Sequence, residues 1–199
     1  LAPHGKLHVV DNFAWTKAHA KREPGLCEAG KSFRPAFESN LKARGLSAEV
    51  HESAFEDFAW PGGAIDLVVI DGPKTARDLW PCLAAVLPHL KPEGRIVLKN
   101  ALSPQLADFG LAAEWLVDRR VLSVPPQDVP GPLNSLLLAP GEKAGESLPE
   151  MPDDADPAPF PAELALAEDH PYRMAGIARA AAKGDFQRAY DLLSRMPAE

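Results

Sequence analysis

The chain of 199 residues is long enough for one domain with an appendage, and its hydrophobic content of 46% is typical of a globular fold. Its formal net charge of -7 and the lack of a basic block disfavour binding to a nucleic-acid backbone. The sequence shows neither an apolar run long enough to span a membrane nor a leader-like segment. We therefore expect a cytoplasmic protein in which Cys27 and Cys82 remain free thiols.

The first predicted strand is residues 6–11 (KLHVVD), and it ends on an acid, Asp11. In sheets of the dinucleotide-binding type, an acid at the end of such a strand accepts hydrogen bonds from ribose hydroxyls. The same position also suits a residue that caps the turn starting at Asn12. From spacing alone, both interpretations of Asp11 stay open.

A loop over residues 13–30 leads to a predicted helix that Ser32 caps and Gly45 ends. The alternating residues 48–53 (AEVHES) then predict a strand at the edge of the sheet. His51 lies within this strand. We expect it to be a solvated or hydrogen-bonded edge histidine without a catalytic role.

The next stretch predicts a strand–helix–strand unit. Residues 65–70 (IDLVVI) form a continuous apolar run, typical of a strand that is buried on both faces. A helix capped by Thr75 follows, and the turn at residues 91–94 (KPEG) separates it from a second buried strand at residues 95–98.

Polar residues follow both strands of this unit. Asp71 ends the first strand, and Lys99 and Asn100 end the second. In open parallel sheets, ligands bind beyond the carboxyl ends of the strands. These residues are therefore the first indication of a functional site.

The remaining sequence predicts a helix at residues 104–120 and two short strands at residues 121–124 and 135–139. An acidic linker rich in proline and alanine follows at residues 141–161, and residues 162–199 predict a pair of helices similar to a tetratricopeptide unit. We therefore expect a domain at residues 1–140, a linker, and a C-terminal helical pair that could bind a protein partner. A homodimer is compatible with this organisation.

Residues 64–100, with IDLVVIDG followed by a helix and LPHLKPEGRIVL, resemble the segment from the fourth to the fifth strand of class I S-adenosylmethionine-dependent methyltransferases. The small-molecule O-methyltransferases are the most similar. The resemblance extends upstream through SFRPAFESNLKARGLSAEVHESAFEDF and more loosely downstream to residue 139. It implies an α/β fold with a Rossmann-like, mostly parallel sheet flanked by helices, S-adenosylmethionine as cofactor, and a small-molecule acceptor.

The resemblance also suggests roles for individual residues. It favours the ribose role for Asp11, and it places Ser53 and Ala54, just past the third strand of the family, near the adenine. Asp71 and Gly72 are further candidates for contact with the cofactor.

Metal-dependent O-methyltransferases of the catechol and caffeoyl type have an Asp, a Lys and an Asp-Asn pair at these strand ends. Asp71, Lys74 and Asn100 match this pattern, but Lys99 places a cation where a carboxylate ligand belongs. Mg²⁺ is therefore disfavoured, with Asp71 and Asn100 as weak candidate ligands. In the metal-free alternative, Lys74 or Lys99 is a base or binds an anionic substrate. In the structural alternative, Asp71 and Lys99 form an ordinary ion pair.

The glycine-rich G-x-G-x-x-G turn of such folds does not occur in the sequence. If Asp11 ends the second strand of the family, the first strand and this turn belong upstream of residue 1. We therefore expect either a piece of a longer protein or a protein that lacks the usual cofactor loop.

Three functions remain in view. The leading one is S-adenosylmethionine-dependent O-methylation of a small molecule or sugar. The alternative is a non-catalytic Rossmann-like scaffold or interaction module whose C-terminal helices serve as the docking element. A nicotinamide-dependent oxidoreductase is a distant third, because the LKPEG turn is more similar to methyltransferases.

Overall fold

The computed structural model describes residues 5–101, 106–125 and 135–150, together with residues 187 and 190. The chain forms two compact units, residues 1–58 and residues 59–199. Among the described residues, each unit has its own sheet and its own helices.

The first unit contains a two-stranded parallel sheet and two helices. Its elements are β1 (His8–Asp11), α1 (Lys17–Arg22), α2 (Arg34–Ala43) and β2 (Glu49–Glu52). The two strands were predicted at these places from the sequence, and both are confirmed.

Local sequence explains the bounds of α2. Pro35 lies in the first turn, where its missing N–H costs no hydrogen bond. The prediction that Ser32 is the N-cap is wrong by one residue, because the N-cap is Phe33, which has no capping side chain; the Ser32 hydroxyl accepts a hydrogen bond from the Arg34 N–H at 3.3 Å. After the last turn, Gly45 adopts a φ of +66°, which glycine reaches without a Cβ penalty. The helix therefore ends where the sequence predicts.

The second unit contains a four-stranded sheet with the order β3-β4-β6-β5. Strands β3 and β4 are parallel, and β6 is antiparallel to both of its neighbours. The elements are β3 (Ile65–Ile70), α3 (Ala76–Val86), a 3₁₀ turn (Leu87–His89), β4 (Leu90–Leu98), α4 (Ala107–Asp118), β5 (Leu122–Ser123) and β6 (Leu136–Pro140).

These elements confirm the predicted α/β class. The connection between β1 and β2 and the connection between β3 and β4 both contain helices, as expected when two parallel strands are joined in a Rossmann-like fold. The C-terminal helical pair predicted for residues 162–199 lies outside the described residues, except for Gln187 and Tyr190, which are helical.

Helices α3 and α4 supply one side of the hydrophobic core of the second unit. The Thr75 hydroxyl caps α3 by accepting a hydrogen bond from the Asp78 N–H at 3.2 Å, as predicted. Fully buried side chains of the helices pack with those of the sheet; they include Leu79, Leu83, Phe109, Leu116, Ile96, Leu98 and Leu138.

The prediction that β3 is buried on both faces is wrong. Ile70 belongs to the core, but Leu67 and Val69 are 57% and 60% exposed. Successive side chains of a strand point to opposite faces, and the core residues of this unit lie on the face of Val68 and Ile70. An apolar run therefore does not by itself show that both faces are covered.

The turn predicted at residues 91–94 differs from the structure. The chain passes from α3 through the 3₁₀ turn directly into β4, and residues 91–94 bulge out of that strand. Ile65 pairs with Leu90 while Leu67 pairs with Arg95, so β4 has three more residues than β3 between these pairs. Gly94 permits the bulge, because a Cβ there would lie 2.8 Å from the Lys91 carbonyl oxygen.

The predicted linker begins with a segment that packs on the second unit. Ala144 and Leu148 lie against the core, and the Trp80 indole N–H donates to the Pro149 carbonyl at 2.9 Å. Residues 151–161 lie outside the described residues. None of the described helices is long and apolar enough to cross a membrane.

Candidate functional site

Asp71 and Lys99 meet at the carboxyl ends of β3 and β4. The Lys99 ammonium lies 2.9 Å from Asp71 Oδ2, and the Lys99 backbone N–H donates to the Ile70 carbonyl at the same distance. The parallel pairing of Ile70 with Leu98 brings the two residues side by side. The ion pair that the sequence left as an alternative is therefore present.

Lys74 joins the same cluster. Its ammonium donates to the Asp71 backbone carbonyl at 2.6 Å and lies 3.9 Å from Asp71 Oδ1. Pro73 and Thr75 flank Lys74, and Thr75 fixes the start of α3 immediately after it. The three residues predicted to be catalytic are thus brought together; we call Asp71, Lys74 and Lys99 the strand-end cluster.

The side chains of the strand-end cluster are about half exposed, with values of 52%, 50% and 53% for Asp71, Lys74 and Lys99. Here each ammonium lies beside a carboxylate and is open to solvent. The arrangement suits lysines that donate hydrogen bonds to an anion or an oxygen atom.

Asn100 follows Lys99 in a left-handed backbone conformation with a φ of +63°. Asparagine tolerates this region better than most residues. Ala101, which comes next, is fully buried and fixes the chain beyond the turn. The turn after β4 therefore has a defined shape. At the end of β3, Gly72 is exposed beside Asp71.

The residues predicted to bind the cofactor in the first unit also lie together. Asp11 ends β1, and its carbonyl accepts a hydrogen bond from the Ser53 N–H, just past β2, at 3.1 Å. The Ser53 hydroxyl donates to the Ala54 carbonyl at 2.9 Å. The parallel pairing of β1 with β2 brings the three residues to one edge of this sheet.

The Asp11 carboxylate has a local role as well. Its Oδ1 accepts the Phe13 N–H at 2.6 Å and supports a φ of +51° at Phe13. The turn-capping interpretation of Asp11 is thus present in the structure. A carboxylate has two oxygens with several lone pairs, so this bond leaves acceptor capacity for a ribose hydroxyl.

Arg34 supports the carboxyl end of β2 from helix α2. Its side chain donates to Glu38 at 2.8 Å and to Glu52 at 3.2 Å. The hydrogen bond to Glu38, followed by the one to Glu52, raises the pKa of Arg34 above its ordinary value. Arg34 is therefore a permanent positive charge that fixes Glu52 next to Ser53.

The sequence-based predictions missed two further features, and the first is a cluster of two histidines and a glutamate. His8, Glu49 and His51 bring potential metal-ligating atoms within 4.8 Å of one another on the sheet of the first unit. The alternating pattern of β2 places Glu49 and His51 on one face, but only the register with β1 shows that His8 is their neighbour.

The second feature is a cavity of about 420 Å³ at the carboxyl end of α4, lined among others by Arg119, Arg120 and Lys143. The residues that line it include no member of the strand-end cluster.

Comparison with known families gives a match over the first half of the chain. A family model described as a methyltransferase domain matches residues 1–101, which is half of the chain and includes β1, β2, β3 and β4. No curated protein matches the chain significantly. The chain therefore belongs to this methyltransferase-domain family, in agreement with its resemblance to class I S-adenosylmethionine-dependent methyltransferases.

Proposed function

We propose that the chain transfers the methyl group of S-adenosylmethionine to a hydroxyl group of a small molecule or sugar. The observation that carries this proposal is the convergence of Lys74 and Lys99 on Asp71 at the carboxyl ends of β3 and β4. The family match supports methyl transfer. The polar strand-end cluster supports an oxygen atom as the acceptor.

In the first unit, we assign Asp11, Ser53 and Ala54 to the adenosyl part of the cofactor. The free acceptor positions of the Asp11 carboxylate suit ribose hydroxyls, which are hydrogen-bond donors. Ser53 and Ala54 lie beside it at the same sheet edge, where backbone groups can contact a purine ring. Gly72 is the candidate in the second unit, whereas Asp71, the other candidate from the sequence, is assigned to the acceptor.

When bound, S-adenosylmethionine supplies an electrophilic methyl group on a positively charged sulfur. We assign to Asp71 the orientation of the acceptor hydroxyl and the acceptance of its proton. Lys74 and Lys99 then donate hydrogen bonds to the acceptor oxygen or to an anionic group next to it. Because both ammonium groups already lie within 4 Å of Asp71, no large movement of the cluster is required.

The strand-end cluster does not fit Mg²⁺. This ion prefers six oxygen ligands, and Asp71 offers a carboxylate that already binds the Lys99 ammonium at 2.9 Å. A cation at that distance occupies the position of a metal ion and repels it. We therefore propose methyl transfer without a divalent metal in this cluster.

Isothermal titration of S-adenosylhomocysteine into the 199-residue chain tests the cofactor site. The informative variant is Asp11→Asn, which keeps an oxygen for the Phe13 N–H but loses the charge that favours ribose hydroxyls. We expect its affinity to fall by at least ~10-fold, the effect of losing one charged hydrogen bond. Asp57→Asn, at an exposed position of the same unit, is the matched control and should bind like the wild type.

The acceptor side is tested by the formation of S-adenosylhomocysteine in the presence of a panel of hydroxylated acceptors and a chelator. Asp71→Asn should remove most of the turnover while its affinity for S-adenosylhomocysteine stays within a few-fold of the wild type. An equal loss of affinity would instead place Asp71 at the cofactor. Turnover that requires Mg²⁺ would contradict the metal-free proposal.

A non-catalytic scaffold is the second candidate. The observation that favours it is that the carboxylates of Asp11 and Asp71 both have protein partners, so their positions are explained without a ligand. In this case residues 162–199 are the docking element and residues 1–140 the domain that carries it. No heat of binding with S-adenosylhomocysteine, from the 199-residue chain and also from any longer form of the protein, would favour the scaffold.

A further inference from the structure

We propose that His8, Glu49 and His51 form a binding site for a transition-metal ion, with Zn²⁺ as the expected occupant. We call these three residues the imidazole cluster. The cluster lies within residues 1–58 and uses none of the residues proposed for methyl transfer. The proposal of a metal site is therefore independent of the proposed function.

The register of the first sheet brings the three side chains to one face. His8 pairs with Glu49 and Val10 pairs with His51. Paired residues of neighbouring strands point to the same face, and residues two apart on one strand do so as well. His8, Glu49 and His51 thus project from the same side of two rigid strands.

Two of the three distances between their ligand atoms are close to those of a tetrahedral metal centre. His8 Nδ1 lies 3.2 Å from His51 Nε2 and 3.6 Å from Glu49 Oε2. Zn–N and Zn–O bonds of about 2.0–2.1 Å at tetrahedral angles separate two ligand atoms by about 3.3–3.4 Å. The ligand atoms of Glu49 and His51 lie within 4.8 Å of each other, so rotations of the side chains are needed for the three atoms to reach one ion.

The contact between His8 and His51 is a hydrogen bond when one of the two ring nitrogens carries a proton. A metal ion can replace that proton when the two rings tilt, so that both nitrogens direct their lone pairs to one point beside the line that joins them. The two rings are nearly parallel, with an interplanar angle of 3°, and Phe58 packs against His51 at 5.6 Å between ring centroids. His51 thus has ring contacts with both His8 and Phe58.

The neighbouring charges leave one oxygen of Glu49 for the metal. Lys6 lies 3.5 Å from Glu49 Oε1, whereas Oε2 faces His8. The Lys6 side chain is 78% exposed and can move into solvent when an ion arrives. The His8 side chain is only 13% exposed, so the site has one sheltered and one open side.

The ligand types decide which ion is expected. Imidazole nitrogens suit Zn²⁺, Co²⁺ and Ni²⁺, whereas Mg²⁺ and Ca²⁺ prefer oxygen ligands only. Two histidines and one glutamate leave a fourth position for water, as in zinc sites that are not closed by protein ligands. A metal here also crosslinks β1 and β2.

The experiment is a titration of the tag-free 199-residue chain with Co²⁺ followed by Zn²⁺. We expect visible absorption of Co²⁺ in a site of low coordination number, which one equivalent of Zn²⁺ removes. Calorimetry with Zn²⁺ should give one site with micromolar or tighter affinity, and Mg²⁺ should not compete. Zn²⁺ should also raise the midpoint of thermal unfolding, because it binds the folded state.

The variants are His8→Gln and His51→Gln, which keep a hydrogen-bonding side chain of similar size. Each should reduce the affinity for Zn²⁺ by at least ~100-fold. Removing a metal ligand lowers the affinity more than removing a residue that only forms a hydrogen bond to a ligand. His89→Gln, at an exposed position of the second unit, is the matched control and should bind as the wild type does.

The proposal is overturned if the wild-type chain binds no Zn²⁺ in the micromolar range. It is also overturned if Co²⁺ gives strong thiolate charge-transfer absorption that Cys27→Ser removes, because the ion is then held by cysteine. Unchanged affinity in the folded His51→Gln variant would be equally decisive. Wild-type absorption and calorimetry need no variant, so a variant that fails to fold leaves the test intact.

Discussion

The Lys99 ammonium and the Asp71 carboxylate lie 2.9 Å apart and join the carboxyl ends of two neighbouring parallel strands. Both side chains are about half exposed, at 53% and 52%. An ion pair in water contributes little to stability, because solvent screens the attraction and two long side chains lose rotamer freedom. We therefore expect the pair to add little to the stability of the fold, and its role in ligand binding is part of the proposed function.

Lys99→Gln tests this distinction. We expect it to lower the free energy of unfolding by less than about 1 kcal/mol, as measured by urea denaturation. Lys91→Gln is the matched control, because Lys91 forms a similarly exposed ion pair with Asp66 at 2.6 Å. Under the proposed function, only Lys99→Gln should reduce methyl transfer. A loss of several kcal/mol would show that the Asp71–Lys99 pair is structural.

Sequence periodicity predicted which candidate residues lie close together where parallel topology determines the outcome. An apolar strand, a crossover helix and a second apolar strand bring the carboxyl ends of the two strands to one edge, so Asp71 and Lys99 were expected to be neighbours from the sequence alone. Asp11 and Ser53 were brought together in the first sheet for the same reason.

Features that depend on register or on coverage of a face could not be predicted. The apolar run of β3 does not tell which face is packed, and Leu67 is exposed although Ile70 is buried. The bulge at residues 91–94 and the contact between His8 and His51 depend on which residues pair across strands. A single sequence does not fix that pairing.

The exposure difference along β3 predicts a difference in stability. Ile70→Ala should lower the free energy of unfolding by about 2–4 kcal/mol, because it leaves a cavity in a core where Ile70 is only 6% exposed. Leu67→Ala, on the same strand but 57% exposed, should cost less than about 1 kcal/mol. Chemical denaturation of both variants measures this. Equal losses would show that the Leu67 face is covered in solution.

Gly141 should be intolerant of a side chain. A Cβ there would lie 2.1 Å from the Arg120 carbonyl oxygen, and backbone atoms cannot yield as the end of a side chain can. We expect Gly141→Ala to destabilise the chain by at least ~1–3 kcal/mol in thermal or urea unfolding. Gly145→Ala is the control, because nothing lies within 4 Å of the position that its methyl group would take. It should stay within about 0.5 kcal/mol of the wild type.

The contact between Trp80 and Pro149 predicts that residues 141–150 contribute to stability. Trp80→Phe removes the indole N–H that donates to the Pro149 carbonyl at 2.9 Å and should cost about 1 kcal/mol or more. Trp60→Phe loses a similar bond to the Gly63 carbonyl at a more exposed place and should cost less. Faster proteolysis after residue 140 in Trp80→Phe, but not in Trp60→Phe, would show that the segment has detached.

Lys99→Asp should convert the strand-end cluster into a magnesium site. The substitution removes the ammonium that binds Asp71 and places a second carboxylate next to Asp71 and Asn100, the donor set expected for Mg²⁺. Without metal, repulsion between the two carboxylates should lower the midpoint of thermal unfolding. Millimolar Mg²⁺ should restore it, since the ion binds only the folded arrangement.

The control for this experiment is Lys99→Asn, which removes the same ammonium but adds no charge. Its unfolding midpoint should not respond to Mg²⁺, and neither should that of the wild type. If Lys99→Asp also shows no response, the carboxyl ends of β3 and β4 do not hold their oxygens close enough for one ion. If wild-type protein responds as strongly as the variant, Lys99 does not exclude the metal, and the metal-free assignment of the cluster is wrong.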